Sequence, residues 1–296
     1  MSRAGYRPAV PLAPARRLWQ LCETIHAVTY FAPESRVAYD ALGLKGFWMG
    51  YFAGRTAAMG PVPPEVVTAV CFNFHPRMVS RAIPDAWSLA PPSDVVVART
   101  GAAVAALRRL FADAADGPAV VEAAEMLRSV VADLDPAGRP LFGAHASLSW
   151  PGEPLAVLWQ AATLVREHRG DGHVAALLAN QLDGCEAHVT LVATGALSEE
   201  TLRPNRGWSE EEWAAARRRL HDRRLVDEGG QLTADGVALR SSVEDLTDAL
   251  ASGPADALGS EGMARISELL EPMVGAVVDG GGVPFPNPMG LPGPGR

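Results

Sequence analysis

Apolar residues in the C-terminal half recur at steps of three and four, the spacing that lines one face of an α-helix. Leu158, Ala161, Val165 and His168 form one such stripe, Val174, Leu177, Leu178 and Leu182 a second, and Trp213, Ala216 and Leu220 a third. Leu239, Val243, Leu246 and Leu250 follow, and Met263, Ile266, Leu270, Met273 and Val277 close the series. Local chemistry marks where these helices start. Ser209-Glu210-Glu211-Glu212 has the S-x-x-E form of a capping box, and Trp208 and Trp213 stand where a hydrophobic staple would, so a helix is predicted from Ser209. Thr233 is the predicted cap of a helix from Ala234 to Ala251. Between these helices, Leu225-Val226-Asp227-Glu228-Gly229-Gly230-Gln231-Leu232 sets two apolar ends around a Gly-Gly pair able to take positive φ, the pattern of a tight β-hairpin. Gly170-Asp171-Gly172 divides the first two stripes and predicts a turn, with Asp171 capping the second helix.

The pattern occurs twice. Leu18-Trp19-Gln20 and a helical run to Val28 return as Leu158-Trp159-Gln160 and a run to His168. After a short break, second segments open with Val37-Ala38 or Val174-Ala175 and reach Leu44-Lys45-Gly46 or Leu182-Asp183-Gly184. Each half then has a long helix (Val95 to Ala112, Ala234 to Ala251), a Gly-Pro break, another helix and a Pro-rich tail. The tails are Gly138-Arg139-Pro140-Leu141-Phe142 and Gly282-Val283-Pro284-Phe285-Pro286, and the likeness predicts that Phe285 packs back. A chain of 296 residues suits two domains, and the repeat divides it at 1–150 and 151–296. In the first half, Pro64 to Ser88 contains Pro76 and Pro84, which interrupt a long helix, and shows no glycine hairpin.

Composition narrows the partners. Thirty-four acidic residues against 26 basic ones give a net charge of −8, so any contact with nucleic acid must be local. No apolar run approaches the roughly 20 residues of a membrane span, and no charged-then-apolar leader follows Met1; the expectation is a cytoplasmic protein without membrane contact. Cys22, Cys71 and Cys185 are odd in number and widely spaced, as reduced buried thiols are.

A charged helix ending in Arg-Arg-Leu-Val, a glycine hairpin, and Leu-Thr-Ala-Asp-Gly opening a long helix make Trp208 to Leu250 resemble the MarR family of winged helix-turn-helix proteins. The whole chain is similar to an actinobacterial group of tandem MarR-like proteins. The resemblance implies a mainly α fold of two MarR-like winged-helix halves forming an intramolecular pseudo-dimer, with a β-hairpin wing clearest in the second half. It also implies a ligand pocket between the early helices and the winged region, and a recognition helix facing DNA.

Three groups of residues are candidate sites. His168, Arg169, Asp171 and His173 gather imidazoles, a guanidinium and a carboxylate at a helix junction, chemistry suited to an anionic ligand or to acid-base catalysis near neutral pH. His26, Tyr30 and Trp48, with Phe47 and Tyr51, either line a pocket for a flat apolar ligand or fill the core. Arg217, Arg218, Arg223 and Arg224 either bind DNA phosphates or form a solvated face balancing nearby glutamates. Glu210, Glu211 and Glu212 sit at the helix start, where a recognition helix meets bases, and oppose phosphate there. A two-fold reader needs two equivalent heads about 34–36 Å apart, and this chain offers one. No local spacing assembles a metal site, and no phosphate-loop, dinucleotide or nucleophile-elbow motif nominates a cofactor or a triad. The leading expectation is therefore a ligand-binding helix-turn-helix protein with reduced DNA-binding capacity. Its ligand is a small aromatic or anionic molecule, its state a monomeric pseudo-dimer or a homodimer, and DNA a doubtful partner. The alternatives are an enzyme built on the His168–His173 junction and a scaffold that pairs through the Met263–Val277 stripe.

Overall fold

Proline opens half of the α-helices among the described residues, because its fixed φ suits the first helical position and its missing amide would have no partner there. In the computed structural model, which describes residues 13–291, the first half comprises α1 (Pro14–His26), α2 (Val28–Phe31), α3 (Pro33–Ala41), α4 (Gly46–Thr56), α5 (Pro64–Val70), α6 (Pro76–Ser80), α7 (Asp85–Leu89), α8 (Pro92–Phe111), α9 (Pro118–Val131) and α10 (Pro140–Ala146). The second comprises α11 (Pro154–Ala179), α12 (Gly184–Val192), α13 (Glu199–Leu202), α14 (Glu210–Asp222), α15 (Ala234–Leu250) and α16 (Gly253–Asp279). The predicted caps are in place: Ser209 and Glu212 form both arms of a capping box, and Thr233 accepts the Gly236 amide at 3.1 Å.

Two expectations are corrected. The turn at Gly170-Asp171-Gly172 does not form, and α11 runs unbroken for 26 residues. Two glycines cost a helix about 1 kcal/mol each but remove no backbone hydrogen bond. Burial on all sides outweighs that cost, since 18 of the 26 residues are buried. The first half breaks at the equivalent place because Pro33 cannot continue a helix. Gly172 is needed for close approach: a Cβ there would lie 3.2 Å from Leu250 Cβ and 3.1 Å from Arg139 Nη1. Asp171 caps a different helix from the expected one, accepting the Phe142 amide of α10 at 2.9 Å.

The second correction concerns the hairpin. Among the described residues it is a single antiparallel bridge between Val226 and Leu232, not a ladder. Gly230 turns at φ 79°, and the Asp227 amide donates to Gln231 O at 2.9 Å. Leu225 is still bonded to Leu220 of α14 and Thr233 already caps α15, so no residues remain to lengthen the strands.

Three apolar cores result. The central one is shared by both halves: α9 lies along α11, α16 along α1, and α1 against α11. The second packs Tyr39 to Val95 into a lobe of the first half, and the third packs Ala176 to Val243 into a lobe of the second. Ile266, Leu270, Met273 and Val277 are buried in the central core, so the stripe assigned to a scaffold partner is satisfied inside the chain. The Pro-rich tail folds back. Phe285 packs on the central core, and the buried Asn287 accepts the Met289 and Leu291 amides at 3.1 and 3.2 Å.

Candidate functional site

Where the central core meets both lobes, a cavity of about 390 Å³ remains. α1 contributes Trp19 and Glu23, α4 contributes Tyr51 and Arg55, and α11 contributes Arg166, Arg169 and His173. His188 of α12, Arg206, Arg240 and Glu244 of α15, and the chain from Phe72 to Phe74 complete the wall, with Pro288 to Gly290 across one side.

Its walls are dominated by arginine. Glu167, fully buried, takes Arg55 Nε and Nη2 at 3.3 and 3.2 Å and Arg166 Nη1 at 2.7 Å. Burial opposes its ionisation, but the Arg166 and Arg55 guanidiniums prevail and hold the carboxyl well below the ordinary range. Arg166 also faces Glu23 at 3.4 Å, where burial outweighs that guanidinium and pushes the carboxyl pKa up. Arg169 pairs with Asp248 at 2.9 Å and Glu244 at 3.4 Å and lies over the Trp19 ring at 4.9 Å. Arg240 reaches Glu244 at 3.0 Å, and Arg16, behind the wall, reaches Asp248 at 2.6 Å.

Arg206 differs from these. Its side chain is buried and, among the described residues, bonds only to the carbonyls of Asn205 and Pro288, 4.7 Å above the Phe74 ring. Among the described residues no carboxylate reaches it, and burial lowers its pKa. Among the described residues, five guanidiniums (Arg16, Arg55, Arg166, Arg169 and Arg240) thus share four carboxylates (Glu23, Glu167, Glu244 and Asp248), and Arg206 adds a sixth positive charge with none. A buried charge without a counter-charge is costly, and a cavity with this excess of positive charge favours an anion.

Two histidines on the wall are neutral. Burial brings the His173 pKa down to about 4. Thr247 gives its own proton to Val243 O at 2.6 Å, so it accepts from His173 Nδ1–H at 3.0 Å, leaving Nε2 as an acceptor. His188 is held well below its usual range by burial, and its Nε2 has no partner among the described residues.

The residues nominated by sequence do not form one group. Arg169 and His173 reach the cavity. His168 packs edge-on against Phe142, Asp171 bonds to α10, and neither lines the cavity, so no four-residue acid-base cluster exists at the supposed junction. In a continuous helix of 3.6 residues per turn, Arg169 and His173 (i, i+4) share the face that lines the cavity, while His168 and Asp171 (i, i+3) share a different one, which separates what a turn would have gathered. His26 is a satisfied core histidine between Thr163 Oγ1 at 3.0 Å and Tyr30 OH at 3.1 Å. Tyr30 and Trp48 line two other, separate depressions. Glu23, Arg55, Arg166, Glu167, Arg206, Arg240 and His188 were missed. Adjacent Arg166 and Glu167 inside an otherwise apolar segment were the one available signal, since charge there must be paired or functional.

The exposed face of α14 is only partly free. Arg217 pairs with Glu199 at 2.6 Å, and Arg223 donates to the carbonyls of Gln181 and Asn180 at 2.8 and 3.2 Å. Arg218 and Arg224 are exposed, with no side-chain partner among the described residues. The start of α14 is clasped by the first lobe: Glu212 Oε1 accepts from His75 Nε2 at 2.8 Å and Arg77 Nη2 at 2.9 Å. Trp208 Nε1 donates to Asn73 O at 3.1 Å, and the His75 amide to Arg206 O at 2.8 Å.

Among the described residues, no group of three or more His, Cys, Asp or Glu could hold a metal ion, and no helix is long and apolar enough to cross a membrane. A family model described as a helix-turn-helix family matches residues 15–284. No curated protein and no solved structure matches the chain.

Proposed function

The chain belongs to the helix-turn-helix family, and on that premise we propose that it is a ligand-binding protein of the regulator type, with two MarR-like winged halves, 1–150 and 151–296, folded as an intramolecular pseudo-dimer. The reciprocal packing of α9 on α11 and α16 on α1 supports this, because a two-fold interface pairs i with j and j with i. The ligand is a small anion with a flat apolar body, held in the arginine cavity between Trp19, Tyr51 and Phe74. Arg206 carries this reading: a buried guanidinium facing a cavity and lacking a carboxylate needs a ligand's negative charge. DNA contact, on the same reading, falls to Arg218 and Arg224 and is weak, since the start of α14 is occupied by His75 and Arg77.

The test is thermal unfolding against 1-naphthoate, nucleoside monophosphates and inorganic phosphate. A ligand at a hundred times its Kd stabilises the folded state by about 2.7 kcal/mol. The expected result is a raised midpoint with 1-naphthoate that disappears in Arg206→Met and shrinks in His173→Ala. An equal shift in Arg206→Met, or no shift with any anion, would refute the anion cavity.

A further inference from the structure

A second cavity, of about 290 Å³, opens on the first lobe between α2, α3 and α4. Its walls are the rings of Tyr30, Phe31, Tyr39, Phe47 and Tyr51, and its chemistry is opposite to that of the arginine cavity. Among the described residues no carboxylate lines it, and its single guanidinium, Arg36, is paired with Asp40 at 2.7 Å. The Tyr30 hydroxyl is also spoken for. Thr163 donates to Trp159 O at 2.9 Å and so accepts from His26 Nδ1, which leaves His26 Nε2 to accept the Tyr30 proton at 3.1 Å.

Two hydroxyls in this wall are unmatched. Among the described residues, Ser35 Oγ is buried without a hydrogen-bond partner, and Thr29 Oγ1, beside the Tyr39 phenol, has none in hydrogen-bonding geometry. Buried hydroxyls are seldom left so, because losing water without a replacement bond costs about 1–3 kcal/mol. A ring-walled space with two unpartnered hydroxyls and no free charge is complementary to an uncharged aromatic molecule bearing a hydroxyl or carbonyl.

We propose that this cavity is a binding site for a neutral one- or two-ring aromatic molecule whose polar group bonds to Ser35 and Thr29. Apolar cavities of about 150 Å³ already accept benzene, so 290 Å³ admits two fused rings.

The probe is 2-naphthol, followed by its fluorescence at pH 7, where it is uncharged, with naphthalene as the comparison. Saturable one-to-one binding is expected. Ser35→Ala and Thr29→Val each raise the Kd by about three- to tenfold, and the double variant binds 2-naphthol and naphthalene equally. Phe47 is 46% exposed, so Phe47→Ala keeps the fold and tests the rings, raising the Kd by at least about tenfold. Arg206→Met leaves 2-naphthol affinity unchanged, which separates this site from the anion cavity. Non-saturable binding, binding insensitive to Phe47→Ala, or binding lost in Arg206→Met alone would overturn the proposal.

Discussion

Replacing Glu167 by glutamine removes one charge and almost no volume, which makes it the sharpest probe of the arginine network. The carboxylate is fully buried and touches Arg55 twice and Arg166 once, at 2.7–3.3 Å. Removing one partner of a buried ion pair costs about 3–5 kcal/mol, because the remaining charge stays buried without compensation. Unfolding entropy near 2.1 cal/mol/K per residue gives about 0.6 kcal/mol/K for 296 residues. The expected drop in Tm is therefore about 5–8 °C by calorimetry. Arg55→Met combined with Glu167→Gln should cost less than the two single changes added together, because the orphaned cation is then gone. The pH dependence has a definite sign. Folded Glu167 titrates below the unfolded value near 4.3, so the unfolded chain binds its proton first as pH falls. Its contribution is present above about pH 4.5 and is lost as pH falls through the folded pKa. A Tm loss below about 2 °C in Glu167→Gln, or strict additivity in the double variant, would refute a network held by this carboxylate.

The buried histidines predict acid sensitivity at milder pH. Burial holds His26 and His188 well below 6.5, brings His145 to about 3 and His173 to about 4, while the unfolded chain binds protons near 6.5. Stability should fall below pH 6.5 by up to about 1.4 kcal/mol per pH unit for each of them. Urea midpoints should therefore drop steeply between pH 6.5 and 5, and a flat profile there would contradict neutral burial. Gly184 opens α12 against the first lobe, and a Cβ would lie 2.2 Å from the Phe72 carbonyl oxygen. Gly184→Ala should cost at least about 1–3 kcal/mol in chemical denaturation, and an unchanged midpoint would deny the lobe contact.

The helices were legible because each carries its own instructions. Ser209 with Glu212, Thr233, and the stripes of α14 to α16 act within a few residues, and the structure follows them. What failed depended on the rest of the molecule. Gly170 and Gly172 locally favour a break, but α11 is surrounded by α1, α9 and α15, and that burial decides. The site was less legible still, since Arg55 meets Glu167 across 112 positions and Arg206 meets Pro288 across 82. His173 and Arg169 were singled out, with His168 and Asp171, because imidazoles, a guanidinium and a carboxylate cluster around a predicted turn that does not form; Arg206 sits in an ordinary-looking loop, and only its burial distinguishes it.

On the proposed reading, the same residues that announce the α14 helix make its start a poor reader of DNA. Glu212 bonds back to Ser209 through one oxygen and holds His75 and Arg77 through the other, so the position that would meet bases is spent on the first lobe. Charge and occlusion are separable. Glu212→Gln and Glu211→Gln each remove one negative charge from the same helical turn, but only Glu212 has the lobe contact, while Glu211 is exposed. If the clasp occludes the helix, Glu212→Gln should raise affinity for duplex DNA more than Glu211→Gln, measured by fluorescence anisotropy at several salt concentrations. If charge alone limits binding, the two variants gain equally and their salt slopes coincide. An equal gain would assign the weakness to the acidic turn and leave the clasp as packing between lobes; an unequal gain would make the lobe contact the element that sets DNA affinity.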